Sequence, residues 1–214
     1  MTKITVLGGT GYTGGNIAQT AIARGHEVTS FSRNLPETPI DGVTYETGSL
    51  LDAAVREQAV TGADVVVASV APRGDLEGKI DEVYTHVAEL AAQAGARLVV
   101  VGGFGSLRPA DGAPRLAYGD AFPAEYAGEA RELADFADYL QASAPAELDW
   151  LFVSPAANYG SYAPGEATGE YAIGGAIANF ERAETLLPGV DFAAAVVDEI
   201  EAHTNPRSHI SVTV

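Results

Sequence analysis

The sequence predicts an α/β fold: a doubly wound, mostly parallel sheet in three α/β/α layers, with a small C-terminal elaboration. Three observations carry this expectation. Short apolar runs alternate with helix-patterned segments through the first half of the chain, the signature of a parallel sheet covered on both faces. A glycine-rich turn directly follows the first apolar run and opens the first helical segment. The chain has 214 residues, of which 47% are apolar, enough to bury one substantial core.

The elements follow in order. Ile4–Leu7 is a buried-strand run, and residues 8–15 are glycine-rich. Asn16–Arg24 has helical spacing, with Ile17, Ala18, Ala21 and Ile22 on one side and Gly25 placed to cap its end. Glu27–Phe31 and Val43–Glu46 are the second and third strands. Asp52–Val60 is helical with Asp52 as N-cap. Asp64–Ser69 is the fourth strand, Lys79–Ala94 a helix and Arg97–Val101 the fifth strand. Gly102–Phe122 reads as a long loop and Pro123–Ala142 as a helix with proline in its first turn. Asp149–Val153 is the sixth strand, Ser154–Gly175 has no clear period, Phe192–Ala202 is helical and His209–Val214 is a terminal strand. No linker or repeat divides the chain.

The strongest motif is Gly8-Gly9-Thr10-Gly11-Tyr12-Thr13-Gly14-Gly15. It holds Gly9-x-Gly11-x-x-Gly14 in the strand-to-helix context that gives the pattern meaning. The first glycine permits a tight turn, Gly11 lets backbone approach a pyrophosphate, and Gly14 allows close packing of helix on sheet. The helix N-terminus then offers free N–H groups to the anion. The expectation is a Rossmann-like dinucleotide site, with residues 1–107 as the dinucleotide-binding half and 108–214 supplying the substrate-side loops of a single domain, 1–214. The end of the second strand reads Ser30-Phe31-Ser32-Arg33-Asn34. It lacks the carboxylate that would take a ribose 2′-hydroxyl, whereas Ser32 and the planar fork of Arg33 suit a 2′-phosphate. NADP(H) is therefore expected in preference to NAD(H).

Composition excludes several classes. Lys and Arg total 12 against 29 Asp and Glu, a formal charge of −17, so neither nucleic acid nor an anionic membrane is an expected partner. The absence of cysteine removes disulfides, thiolate metal sites and a cysteine nucleophile, and fits a cytoplasmic setting. The first residues lack the pattern of a signal peptide. His26, His86, His203 and His209 have no metal-ligand spacing.

With these motifs in view, the chain resembles the atypical short-chain dehydrogenase/reductase superfamily. Within it the similarity is to small NAD(P)H-binding proteins of the NADH-flavin reductase type, related to NmrA-like proteins and to biliverdin reductase B. The carrying segments are Ile4–Asn34, Gly62–Pro72, Arg97–Leu107, Phe122–Tyr126, Asp149–Asn158 and Asp191–Glu201. The resemblance implies that Ser69, Val70, Ala71 and Pro72 run beside a ribose. It places Gly102 and Gly103 near the nicotinamide, and Ser154, Pro155 and Ala156 on the nicotinamide's other side. Ser49 and Leu50 would lie at the adenine, in a place where the branch usually has an acidic residue.

The Tyr-x-x-x-Lys pair of typical short-chain dehydrogenases is missing: the lysines are Lys3 and Lys79, and Ala130 stands four residues after Tyr126. A Gly-x-Ser-x-Gly elbow is also absent. Hydride transfer to an electron-poor ring needs no such dyad. The expected function is reduction of a flavin, quinone or similar planar acceptor, a small molecule, by a monomer or homodimer. Ser106 and Tyr126 are the candidate proton donors, with Tyr118, Tyr159 and Tyr162 as further loop candidates and Phe104 packing on the nicotinamide or in the core. The alternatives are a non-catalytic NADP-sensing regulator of the NmrA-like kind and an epimerase- or dehydratase-like enzyme.

Overall fold

Residues that alternate along a strand point to opposite faces of a sheet, and the runs Val65–Ala68, Leu98–Val101 and Trp150–Val153 are apolar at every position. The computed structural model, which describes residues 1–214, resolves that pattern into two cores. β1 (Lys3–Leu7), β2 (Glu27–Ser32), β3 (Val43–Thr47), β4 (Val65–Ala68), β5 (Arg97–Val101), β6 (Trp150–Pro155), β7 (Ala172–Gly174) and β8 (Ser208–Thr213) share one sheet. Its order is β3-β2-β1-β4-β5-β6-β8-β7. All neighbours pair in parallel except β7, which runs antiparallel to β8. In β4, Val65 and Val67 enter one core and Val66 and Ala68 the other; β5 and β6 alternate in the same way.

Five helices cover the two faces: α1 (Tyr12–Ala23), α2 (Ala53–Val60), α3 (Ile80–Ala94), α4 (Ala124–Ala142) and α5 (Gly189–Ala202). One core is closed by Ile17, Ala18 and Ala21 of α1 with Phe192, Ala193 and Val196 of α5. The other is closed by Ala59 and Val60 of α2, Val83, Tyr84 and Val87 of α3, and Phe136 and Leu140 of α4. Asp52 caps α2 by accepting from the Ala54 amide at 2.9 Å. α3 lacks a cap of its own, and Glu132 of α4 accepts instead from the amides of Gly78 (2.8 Å) and Ile80 (3.2 Å). Arg24 ties α1 to α5 through Asp198 and Glu201.

Several boundaries differ from the sequence reading. α1 begins at Tyr12 rather than Asn16, because the glycines that hide helical periodicity are there to let the helix pack closely. α5 begins at Gly189, and β6 runs on to Pro155. The long loop after β5 contains two single 3-10 turns, Phe104–Ser106 and Leu116–Tyr118. β7 was not expected: three residues within a glycine-rich segment show no period. The terminal strand β8 lies inside the sheet, between β6 and β7. No helix is long and apolar enough to cross a membrane.

Candidate functional site

The chain leaves β1 at Leu7 and turns at Gly8, whose φ of 87° strains any residue with a side chain. The Gly8 amide donates to the Phe31 carbonyl (2.8 Å) and the Gly11 amide to the Gly8 carbonyl (3.0 Å), so the turn is tied to β2 and to itself. Gly14 sits beneath it: a Cβ there would lie 2.4 Å from the Gly8 carbonyl oxygen and 2.7 Å from Ser69 Oγ. Gly11 is different. It is the N-cap of α1 in extended backbone with no side-chain cap, and an added Cβ would meet only the Gly8 carbonyl oxygen, at 3.3 Å. The first-turn amides of α1 have no intrahelical partner. Together with the partial positive charge of the helix end they make an anion cradle.

A cleft of about 570 Å³ opens over this turn, within the range of small-ligand sites. It lies where the strand order reverses between β1 and β4, the place an open α/β sheet keeps its ligands. The structure brings together there Gly8, Thr10, Gly11, Tyr12 and Thr13 from the turn, and Ser32 and Arg33 from the end of β2. Ser49 and Leu50 enter after β3, and Ser69, Val70 and Ala71 after β4. The β4 wall is fixed from behind by the buried Tyr84 of α3, whose hydroxyl accepts from the Val70 amide (3.2 Å) and donates to its carbonyl (3.0 Å). Burial pushes the Tyr84 phenol well above its ordinary pKa, so it stays protonated as that donor needs. The opposite wall is Tyr159–Tyr162. Thr13 Oγ1 and the Tyr159 hydroxyl are 2.9 Å apart, and Tyr12 donates to the Pro164 carbonyl at 3.2 Å.

Two charged lining residues escaped the sequence reading. Arg73 and Asp75 reach the cleft from the turn after β4. Arg33 Nη1 lies 2.6 Å from Asp75 Oδ1, and Arg73 Nε lies 2.6 Å from Glu129 Oε1, which pushes the Arg73 pKa up. The only signal for them was their position directly after an apolar strand.

The cradle fits a dinucleotide pyrophosphate: no side chain intrudes at Gly11, and the amides of α1 are uncapped. The NAD(P)H-binding family model matches residues 8–202, nearly the whole chain. The chain belongs to this NAD(P)H-binding family. It is 30% identical to the uncharacterized protein YwnB of Bacillus subtilis, with 96% of each chain covered. Among solved structures, it is similar to a proposed exported protein from Burkholderia pseudomallei at 34% identity, with a TM-score of 0.83 and all of both chains covered. It is also similar to a proposed NADH-flavin reductase from Streptococcus pneumoniae at 29% identity, with a TM-score of 0.82, over 100% of this chain and 99% of that one.

The remaining sequence-predicted positions of this NAD(P)H-binding protein lie outside the cleft lining. Gly14 and Pro72 are buried behind it. Gly102 and Gly103 follow β5; a Cβ on Gly102 would fall 2.1 Å from the Phe152 ring. Ser154 and Pro155 end β6, Ala156 follows it, and all three are buried. Phe104 packs edge-on against Phe180 at 6.3 Å between centroids. Tyr126 is exposed in the first turn of α4. Ser106 is only 1% exposed, and its Oγ has no hydrogen-bond partner.

Ser106 belongs instead to a buried polar cluster. Its carbonyl accepts from Arg115, whose Nη1 also lies 3.1 Å from His209 Nδ1. A guanidinium only donates, so Nδ1 accepts and His209 Nε2 carries the proton toward Ser154 Oγ, 2.9 Å away. Burial, with the charges of Arg115 and Arg108, lowers the His209 pKa to about 3. The unfolded chain therefore takes up this proton first as pH falls. The stability contributed by neutral His209 is whole above about 6.5 and is lost between there and about 3. His209→Asn is expected to lower stability at neutral pH yet flatten its acid dependence, by up to about 1.4 kcal/mol per pH unit in that window. Chemical denaturation across pH measures the difference; parallel curves for the two proteins would refute it.

Proposed function

We propose that the protein is an NADP(H)-preferring oxidoreductase that passes hydride to a flavin, quinone or similar planar acceptor. The observation that carries the reading is the glycine cradle continuous with Arg33 in one cleft. Similarity to a proposed NADH-flavin reductase at 29% identity supports the reaction class. The amides of the glycine turn would hold the pyrophosphate. Ser32 and Arg33 would hold the 2′-phosphate, Ser49 and Leu50 would flank the adenine, and Ser69, Val70, Ala71 and Pro72 would run beside a ribose. Gly102, Gly103, Ser154, Pro155 and Ala156 would bound the nicotinamide end. A bound NADPH supplies hydride from the nicotinamide; the chain supplies orientation and exclusion of water. The proton comes from water or from a hydroxyl such as Ser106 or Tyr126. The acceptor is a small molecule, the setting cytoplasmic and the assembly a monomer or homodimer, with no nucleic-acid or membrane partner.

One observation favours a second reading, an NADP sensor: Ser106 is sealed from solvent and neither it nor Tyr126 is among the residues that line the cleft. Loss of NADPH absorbance in the presence of FMN, FAD, riboflavin or quinones decides between them. Turnover on any of these supports the reductase; tight binding without turnover supports the sensor. Arg33→Ala is expected to weaken NADPH about tenfold or more and NADH by less than about twofold, because a charge-assisted hydrogen bond is worth about 1.5–3 kcal/mol. Equal weakening, measured by titration, would remove the NADP assignment.

A further inference from the structure

The end of β2 has no acidic residue, yet a carboxylate stands beside Arg33. Asp75 is delivered by the turn Gly74–Leu76 after β4, and β1 separates β4 from β2 in the sheet. The ion pair, 2.6 Å between Arg33 Nη1 and Asp75 Oδ1, therefore spans the switch point over the glycine turn. Both side chains line the cleft. The other cation at the mouth, Arg73, is held by Glu129, so Asp75 is the internal counter-ion of Arg33.

We infer that Asp75 is a specificity-determining residue that restrains selectivity for the 2′-phosphorylated dinucleotide by competing for Arg33. The inference rests on the reading of Arg33 as the 2′-phosphate ligand. A 2′-phosphate gains Arg33 only by displacing the carboxylate, and it then leaves Asp75 as a like charge nearby. A 2′-hydroxyl carries no charge and meets neither cost. The pair is water-exposed, with side chains 61% and 38% accessible, so the exchange is weakly opposed and the effect is one of degree.

The test is equilibrium binding, not turnover. Adenosine 2′,5′-bisphosphate and AMP are titrated against the wild type, Asp75→Asn, Arg33→Ala and the double variant, with Asp75→Ser as a second replacement. Removing the carboxylate is expected to tighten the bisphosphate about threefold to tenfold and to change AMP by less than about twofold. The gain should shrink to less than about twofold in the Arg33→Ala background, since neighbouring sites that share a ligand are non-additive. No selective gain, or a gain of the same size without Arg33, overturns the inference. Arg33→Ala alone separates the two levels. If it weakens both probes equally, the Arg33 reading fails and takes the inference with it; if it is selective while Asp75→Asn is not, only the inference falls.

Discussion

Gly11→Val is expected to lower dinucleotide affinity at least about 100-fold, some 2.8 kcal/mol, while leaving the fold in place. The expectation comes from the contrast between two glycines of one motif. Gly11 has ordinary extended backbone, and an added Cβ meets a single atom at 3.3 Å. The Gly8 carbonyl must give by only a few tenths of an ångström, and the branched side chain fills the space over the uncapped amides of α1 where a pyrophosphate must approach. Gly14→Ala should behave otherwise. Its Cβ would strike the Gly8 carbonyl at 2.4 Å, and backbone cannot rotate away as a side chain can. That variant should lose stability together with binding. Thermal melts and nucleotide titrations on both variants make the comparison. Wild-type affinity in Gly11→Val would remove the glycine turn from the binding site.

Arg115→Ala should cost about 2–4 kcal/mol of stability, because an unsatisfied buried polar group costs about 1–3 kcal/mol and two are left behind. The Arg115 side chain is fully buried. Its five donors serve the Ser106 carbonyl, His209 Nδ1 at 3.1 Å, Asp138 Oδ1 at 2.8 Å and Gln141 Oε1 at 3.2 Å. It thereby joins the loop after β5 to α4 and β8. Truncation opens a void and leaves a carbonyl and an imidazole nitrogen without a donor in a region water does not reach. Arg115→Lys keeps the charge but not the fork and should recover only part of the loss. Denaturant melts measure both; a cost below about 1 kcal/mol for Arg115→Ala would show that the cluster is dispensable.

The legible parts of this molecule were those written within a few neighbouring residues. Gly8–Gly14 declared its turn because strand, glycines and helix follow one another directly. Asp52 announced its helix because a cap acts two residues away. The apolar runs of β4, β5 and β6 could only be buried strands. What stayed hidden was non-local. Nothing in Arg73-Gly74-Asp75 says that Asp75 meets Arg33, 42 residues earlier in the chain. Glu132 gives no sign of capping α3, which precedes it, and Arg115 looks like any loop arginine until β8 brings His209 to it. Tyr159 and Tyr162 were anticipated as groups covering the site. Their place on the wall facing the glycine turn depends on bonds from Tyr12 and Thr13 that span about 150 residues and have no local signature.

The interior position of β8 bears on how the chain is made. The sheet partners of β1 to β5 all lie within residues 3–155, so that part of the sheet can pair before β8 is made. The outer edge of β6, however, pairs with residues 208–212, and β7 has no partner in the sheet other than β8. Until β8 emerges, an apolar, parallel-pairing edge stays open and β7 lacks its partner. Such a late, long-range closure favours slow completion and exposes a sticky edge to other nascent chains. Chaperone dependence and aggregation during synthesis should therefore track residues 208–213 more closely than any other strand.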